Sequence, residues 1–132
     1  MTSPEGADGD RLDRTAWNIL NATADDCENL EQIYHQVCFE CVGAKGGYRP
    51  REGAPVLGEI AAGVRRLVEA GLLTVVMDEE GRPWLEPDDI SYVWRGWFRM
   101  TDAGKAVWAA EAGRGQPELN LPIADLLKLP GA

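Results

Sequence analysis

A chain of 132 residues with 45% hydrophobic and 27% charged residues has the size and composition of one globular domain. It contains no run of about 18 apolar residues, which argues against a membrane-spanning helix, and its acidic start at residues 1–10 predicts a disordered tail rather than a signal peptide, and hence a cytoplasmic protein. The net charge of −9 on its own disfavours nucleic acid as a partner, because phosphate binding needs clustered cations.

Two amphipathic helices are predicted in the first 42 residues. Apolar residues recur at helical spacing over residues 10–23, with Asp10 or a neighbour as the cap, and again over residues 27–42, where Asp25 begins a capping box. The apolar stripe of the second helix extends as far as Cys41 and Val42. Phe39 lies off this stripe, which makes it a candidate either for a dimer contact or for packing under an N- or C-terminal arm.

A third helix is predicted at residues 55–70, after a Gly- and Pro-rich loop at residues 43–54. Pro55 suits its first turn and Gly71 its C-terminal cap. The side chains expected to be buried are Leu57, Ile60, Ala61, Val64, Leu67 and Val68. The outer surface is expected to be smooth, since it carries the small residues Gly58, Ala62 and Gly63.

Strands and one more helix are predicted beyond Gly71. The elements are a strand at residues 72–77, a short return strand at 82–85, an extended aromatic segment at 91–100, and a helix at 103–112 capped by Thr101 or Asp102. Residues 114–132 form an apolar arm that must dock on its own domain or on a second copy. Pro122 is a candidate start for a short helix in this arm.

Two segments of this sequence resemble parts of a winged helix-turn-helix domain. Residues 66–73, Arg-Leu-Val-Glu-Ala-Gly-Leu-Leu, resemble a recognition helix that runs into the first strand of a wing. Residues 98–105 resemble the second wing strand followed by the Thr-x-x-Gly start of the next helix. With the two preceding helices, the pattern resembles regulators of the MarR and PadR types over residues 11–112. The resemblance implies a mainly α fold with a small antiparallel β-wing (α+β), covering residues 11–113.

The resemblance also implies a transcription regulator that binds double-stranded DNA as a homodimer, with the third helix in the major groove. Residues 45–66 contain five basic and two acidic residues, a local charge of 5 − 2 = +3 within an acidic molecule. The predicted DNA-binding residues are Lys45, Arg49, Arg51, Arg65, Arg66, Arg95 and Arg99. The first three, together with Tyr48, form either a phosphate clamp before the helix or a solvated loop. The apolar arm and Phe39 are the candidate dimer contacts.

Other features of the sequence keep two alternatives open. Glu59 on the outer face of the third helix would repel phosphate, which favours a winged-helix module that binds protein instead of DNA. Aromatic residues crowd the predicted wing: Trp84, Tyr92, Trp94, Trp97 and Phe98. Strand alternation places Tyr92, Trp94, Phe98 and Met100 on one buried face. The alternative interpretations of this region are a small-molecule pocket and insertion of its arginines into a DNA minor groove.

Metal binding and catalysis are not predicted. Cys27, His35, Cys38 and Cys41 are potential ligands, but positions on one continuous helix do not converge on a single ion. They are interpreted as thiols on an apolar stripe and a histidine at its boundary. His35 is the one histidine in the sequence, and no nucleophile motif or phosphate-binding loop accompanies it. We therefore expect neither an enzyme nor a cofactor.

Overall fold

A computed structural model describes residues 11–43, 46–84, 90–113 and 121–122. In chain order its elements are β1 (Arg11–Leu12), α1 (Arg14–Ala22), β2 (Glu28–Asn29), α2 (Leu30–Cys38), β3 (Phe39–Cys41), β4 (Tyr48–Pro50), α3 (Leu57–Glu69), β5 (Leu73–Met77), α4 (Tyr92–Arg95), β6 (Trp97–Met100), α5 (Asp102–Gly113) and β7 (Leu121–Pro122). The prediction of an α+β fold with a small antiparallel sheet is confirmed at this level. Among the described residues, no helix is long and apolar enough to cross a membrane.

Helices α1, α2 and α3 pack together around the main core. Asp13 caps α1, because its Oδ1 accepts a hydrogen bond from the backbone N–H of Ala16 at 2.8 Å. Asn29 caps α2 in the same way, accepting from Gln32 at 2.9 Å. Each of the three helices contributes a fully buried isoleucine to this core: Ile19, Ile33 and Ile60. Both caps lie a few residues later than the sequence pattern predicted.

The second helix ends at Cys38, so the prediction that it continues to residue 42 is wrong. The chain instead forms β3, which pairs antiparallel with β4 inside the segment predicted to be a loop. Two interactions favour this hairpin. The N–H of Arg51 donates to the carbonyl of Cys38 at 2.7 Å, and the ring of His35 stacks on Phe39 and meets Tyr48 edge-on. Cys41, predicted on the buried stripe, is exposed.

A three-stranded antiparallel sheet with the strand order β2–β6–β5 covers one end of the helices. The central strand β6 places Phe98 opposite Glu28 on one side and Val75 on the other, and Phe98 is fully buried. The register shifts between Val75 and Met77, which marks an irregularity in β5 near its end.

The sequence predicts that residues 91–100 are extended throughout, and this prediction is wrong for the first part of the segment, which forms the short helix α4. This turn changes which side chains face the core. Tyr92, Phe98 and Met100 are buried as expected, whereas Trp94 is 60% exposed. The strand alternation assumed from the sequence holds only from Trp97 onward, because four residues in a helical turn rotate Trp94 away from the Phe98 side.

The two ends of the described chain meet, because β1 pairs antiparallel with β7. Leu121–Pro122 is thus a strand rather than the start of a helix. The rest of the apolar arm and the acidic tail lie outside the described residues. The predicted return strand at residues 82–85 is absent over the described part, residues 82–84, which is irregular.

The junction between α3, β5 and α5 is tightly constrained. Gly71 adopts a φ of 81°, a left-handed conformation that glycine tolerates better than other residues. The N–H of Thr101 donates to the carbonyl of Leu72 at 3.0 Å, and its hydroxyl donates to the carbonyl of Gly71 at 2.6 Å. The same hydroxyl accepts from the N–H of Gly104 at 3.0 Å, which makes Thr101 the cap of α5.

Gly104→Ala tests this junction. A Cβ at Gly104 would overlap the backbone carbonyl of Leu72, and it would lie 2.7 Å from Met100 Cγ. We expect a loss of about 1–3 kcal/mol in the free energy of unfolding, measured in urea, because the obstruction is backbone and can relax little. The matched control is Gly58→Ala in α3, where an added Cβ meets nothing within 4 Å. It should gain up to about 1 kcal/mol from helix propensity. Equal effects of both changes would contradict the packing described here.

Candidate nucleic-acid interface

The outward face of α3 differs in three positions from the face predicted by the sequence. Leu57, expected to be buried, is 38% exposed, and Val68 is half-buried. Gly63, assigned to the smooth outer surface, is buried against α1, where an added Cβ would lie 2.6 Å from Ile19 Cδ1. Glycine at this position therefore allows α1 and α3 to approach closely. The outward residues are Val56, Leu57, Gly58, Glu59, Ala62, Arg65 and Glu69.

The N-terminus of α3 is occupied by a carboxylate of the same chain. The side chain of Glu59 accepts a hydrogen bond from the N–H of Val56 at 3.0 Å. A helix N-terminus attracts anions because its first N–H groups lack partners inside the helix. Since Glu59 uses one of these groups and adds a negative charge, the phosphate clamp considered at this end of α3 would have to displace it.

Four of the predicted DNA-binding arginines form surface ion pairs in the structure. Each has a carboxylate partner within 4 Å: Arg49 with Glu40 at 2.8 Å, Arg65 with Glu69 at 3.2 Å, Arg66 with Asp13 at 3.9 Å, and Arg95 with Glu79 at 3.3 Å. Exposed pairs of this kind contribute about 0–1 kcal/mol, since water and salt screen them. They are therefore weak enough to exchange with another anion.

The other predicted contacts have different surroundings. Arg51 and Arg99 form no ion pair with another described residue, and both are exposed. Arg51 follows β4 beside the end of α2, and Arg99 lies on β6 opposite Thr74. Lys45 lies outside the described residues. The structure thus places Arg49 and Arg51 on one hairpin, Arg65 and Arg66 in the last two turns of α3, and Arg95 and Arg99 on either side of the start of β6.

The turn after β5 is built around a single carboxylate. Asp78 Oδ1 accepts from the backbone N–H groups of Glu80 and Arg82 at 2.9 and 2.8 Å, and its Oδ2 accepts from the Arg82 guanidinium at 3.2 Å. These hydrogen bonds, led by that from the Arg82 backbone, lower the pKa of Asp78 despite partial burial. The acidic turn, which the sequence predicts in the wing, is therefore held in place by the hydrogen bonds of Asp78 with residues of the same turn.

Because α2 ends at Cys38, the cysteines and His35 lie in different surroundings. Cys38 is buried and its thiol donates to the carbonyl of Pro55 at 3.1 Å. Burial and the nearby charge of Glu59 raise the pKa of Cys38. His35 lies in the ring cluster with Phe39 and Tyr48. Within the described ranges, no three potential ligands are grouped closely enough to hold a metal ion.

Exposed apolar residues near α3 are a feature that the sequence reasoning missed. Tyr48 and Val56 are each 63% exposed, and Val42 and Leu57 are also exposed. They lie on the β3–β4 hairpin and at the start of α3, next to the predicted DNA-binding arginines. Recognising them from the sequence would have required the hairpin, since Val42 had been assigned to a buried helical stripe.

No family model matches this chain, and neither a curated protein nor a solved structure was found to match it.

Asp78→Asn tests the charge-ordered turn through its pH dependence. Folding lowers the pKa of Asp78, so its carboxylate stabilises the fold above the unfolded-state pKa of about 3.9. That contribution disappears as the pH falls through the lower value of the folded state. We expect the variant to be less stable than the parent chain at pH 7, with the difference shrinking below about pH 4. Urea unfolding at several pH values measures this, and a constant difference would contradict the assignment.

Proposed function

We propose that the chain is a winged-helix protein that binds double-stranded DNA, with α3 as the recognition helix and the β5–β6 pair as the wing. The observation that carries this proposal is the topology. Three packed helices are followed by two antiparallel strands, and β2, between the first two helices, completes the sheet in the order β2–β6–β5. In this arrangement the third helix keeps one face free for a partner, as a winged helix requires.

The dimensions of α3 suit a DNA groove. Its 13 residues correspond to a length of about 20 Å at 1.5 Å per residue, and the major groove is about 12 Å wide. Gly58 and Ala62 leave space for close approach along the exposed face. Because that face carries few side chains able to read base edges, the proposed affinity comes mainly from arginines that contact phosphates at its margins.

Phosphate binding in this proposal requires the surface ion pairs to exchange partners. Arg51 and Arg99 are available without such exchange, whereas Arg49, Arg65, Arg66 and Arg95 must leave carboxylates. Since exposed pairs are worth about 0–1 kcal/mol each, a phosphate can replace them when several contacts form together. We further propose that two copies bind as a homodimer, so that two α3 helices meet the same face of the duplex about 34 Å apart. Such a protein would act as a transcription regulator.

Removing the competing carboxylates provides a direct test. Glu40→Gln and Glu69→Gln release Arg49 and Arg65, and we expect each to tighten binding to mixed-sequence duplex DNA by up to about fivefold, the equivalent of one surface ion pair. Asp25→Asn removes the same charge from an exposed position between α1 and α2 and is the matched control. Fluorescence anisotropy at several salt concentrations measures the affinity and its salt dependence.

Arginine variants complete this test. Arg51→Ala and Arg99→Ala should weaken binding on all sequences and lower the salt slope by about 1 each. If the parent chain does not bind even at low salt, or if Asp25→Asn tightens binding as much as the two glutamate variants do, the DNA proposal fails.

A second function, binding of a protein by the same face, is favoured by one observation. The start of α3 and the adjacent hairpin expose Val42, Tyr48, Val56 and Leu57, while most nearby arginines are already neutralised. Apolar and aromatic side chains with few free charges are typical of the centre of protein interfaces. In this case Val56→Ser and Tyr48→Ser should abolish partner binding, whereas the glutamate variants should have little effect or weaken it.

A further inference from the structure

A small polar cleft lies where α1, α2 and the residue that follows β4 come together. Its volume is about 250 Å³, and the described residues that line it are Asn18, Asn21 and Ala22 of α1, Gln36 and Val37 of α2, and Arg51. Small-molecule sites are usually clefts of about 300–1,000 Å³, so this one suits a ligand of few atoms.

Arg51 supplies a positive charge at this cleft. Its backbone N–H donates to the carbonyl of Cys38 at 2.7 Å, which fixes the residue beside the end of α2. Its side chain is exposed and forms no ion pair with another described residue. A guanidinium presents several N–H donors in one plane, and these match the two oxygens of a carboxylate. Arg51 therefore favours a ligand with a carboxylate group.

Two amide side chains at the cleft have orientations that are fixed by their other partners. Asn21 Oδ1 accepts from the indole N–H of Trp108 at 3.0 Å. Because an indole can only donate, Nδ2 is the end of the Asn21 amide that can donate to a ligand. Gln36 Nε2 donates to Glu28 Oε1 at 3.0 Å, and since a carboxylate can only accept, Oε1 is the end of the Gln36 amide that can accept from a ligand.

The remaining lining residues add a third amide and a small apolar surface. Asn18 lies one turn before Asn21 on the same side of α1. Amides and hydroxyl groups both donate and accept hydrogen bonds, so hydroxyl groups on a ligand can pair with these side chains. Ala22 and Val37 are buried and leave only small apolar side chains against the ligand. A short carbon chain that carries several hydroxyl groups fits this combination.

We propose that this cleft binds a small polyhydroxylated carboxylate, such as a short sugar acid. Its carboxylate pairs with Arg51, and its hydroxyl groups form hydrogen bonds with the amides of α1 and α2. A neutral polyol would lack the ion pair, and a plain fatty acid would lack the hydrogen bonds, so both should bind more weakly. Binding is measured without DNA, so its outcome does not depend on the proposed DNA binding.

The test uses three compounds with a four-carbon chain: L-threonate, L-threitol, which has no carboxylate, and butyrate, which has no hydroxyl groups. The indole N–H of Trp108 reports on the cleft in an NMR titration, because it donates to Asn21, and Trp108→Phe assigns its signal. At constant ionic strength, we expect threonate to shift this signal and the backbone amides of Asn18 and Gln36. The signal of Trp94, which is exposed and does not line the cleft, should not move. Threitol and butyrate should bind at least about tenfold more weakly than threonate.

Arg51→Gln separates the proposed ion pair from a general effect of charge. It keeps the backbone hydrogen bond to Cys38, and it should weaken threonate binding by about tenfold or more while leaving threitol binding unchanged. Arg49→Gln is the matched control, because it removes the same charge from the same hairpin at a position that does not line the cleft. It should leave both affinities unaltered. Asn18→Ala should weaken threonate binding about two- to tenfold, the range for loss of one hydrogen bond.

Three results would each overturn the proposal. Threonate could leave the Trp108 signal unmoved, which would mean that the cleft does not bind it. Threitol or butyrate could bind as tightly as threonate, which would mean that the carboxylate or the hydroxyl groups are not recognised. Arg49→Gln could weaken threonate binding as much as Arg51→Gln does, which would mean that the carboxylate responds only to the net charge of the protein.

Discussion

The described structure depends most on the hydrogen bonds with which Thr101 joins α3, β5 and α5. One threonine satisfies the carbonyls of Gly71 and Leu72 and caps the helix that follows it. Gly104 allows the backbone of that helix to lie directly against Leu72. These contacts join residues about 30 positions apart, so they bring the two strands of the β5–β6 pair together at the base. The buried Phe98 then lies between this sheet and the helices.

The junction between α3, β5 and α5 also shows, in physical terms, why the sequence could predict this part of the fold. Gly71 is required by a left-handed backbone, Thr101 by hydrogen bonds in two directions, and Gly104 by the absence of space for a side chain. The left-handed turn at Gly71 and the cap of α5 are local constraints, so the Gly after α3 and the Thr-x-x-Gly motif are visible in one sequence. The contact of Gly104 with Leu72 appears only in the structure. The α3–β5 boundary and the cap of α5 were accordingly predicted within one or two residues.

The parts that the sequence did not predict depend on contacts between distant residues. Residues 39–41 continue the helical spacing of α2, but stacking of Phe39 on His35 and pairing with β4 favour a strand. Helical spacing shows which side chains are apolar, but it does not show that another strand is present for pairing. The sequence pattern therefore could not distinguish a strand at residues 39–41 from a continued helix. Gly63 was misassigned for a similar reason, since only the position of Ile19 shows that the glycine faces inward. The site residues could be named from charge, but an ion-pair partner such as Asp13 for Arg66 lies far away in sequence.

Ion pairs with carboxylates hold four of the arginines that the sequence predicts to bind DNA. The partner carboxylates lie on the same element, as Glu69 does for Arg65, or on a neighbouring one, as Glu40 does for Arg49. Tyr92 lies near the pair of Arg65 and Glu69: burial raises the pKa of Tyr92, the charge of Glu69 raises it further, and that of Arg65 lowers it. On α4, Arg95 pairs with Glu79 and lies over the ring of Trp84, so this arginine is also held by contacts within the described chain. Any anionic partner would therefore have to form several contacts at once to displace carboxylates whose pairs are worth about 0–1 kcal/mol each.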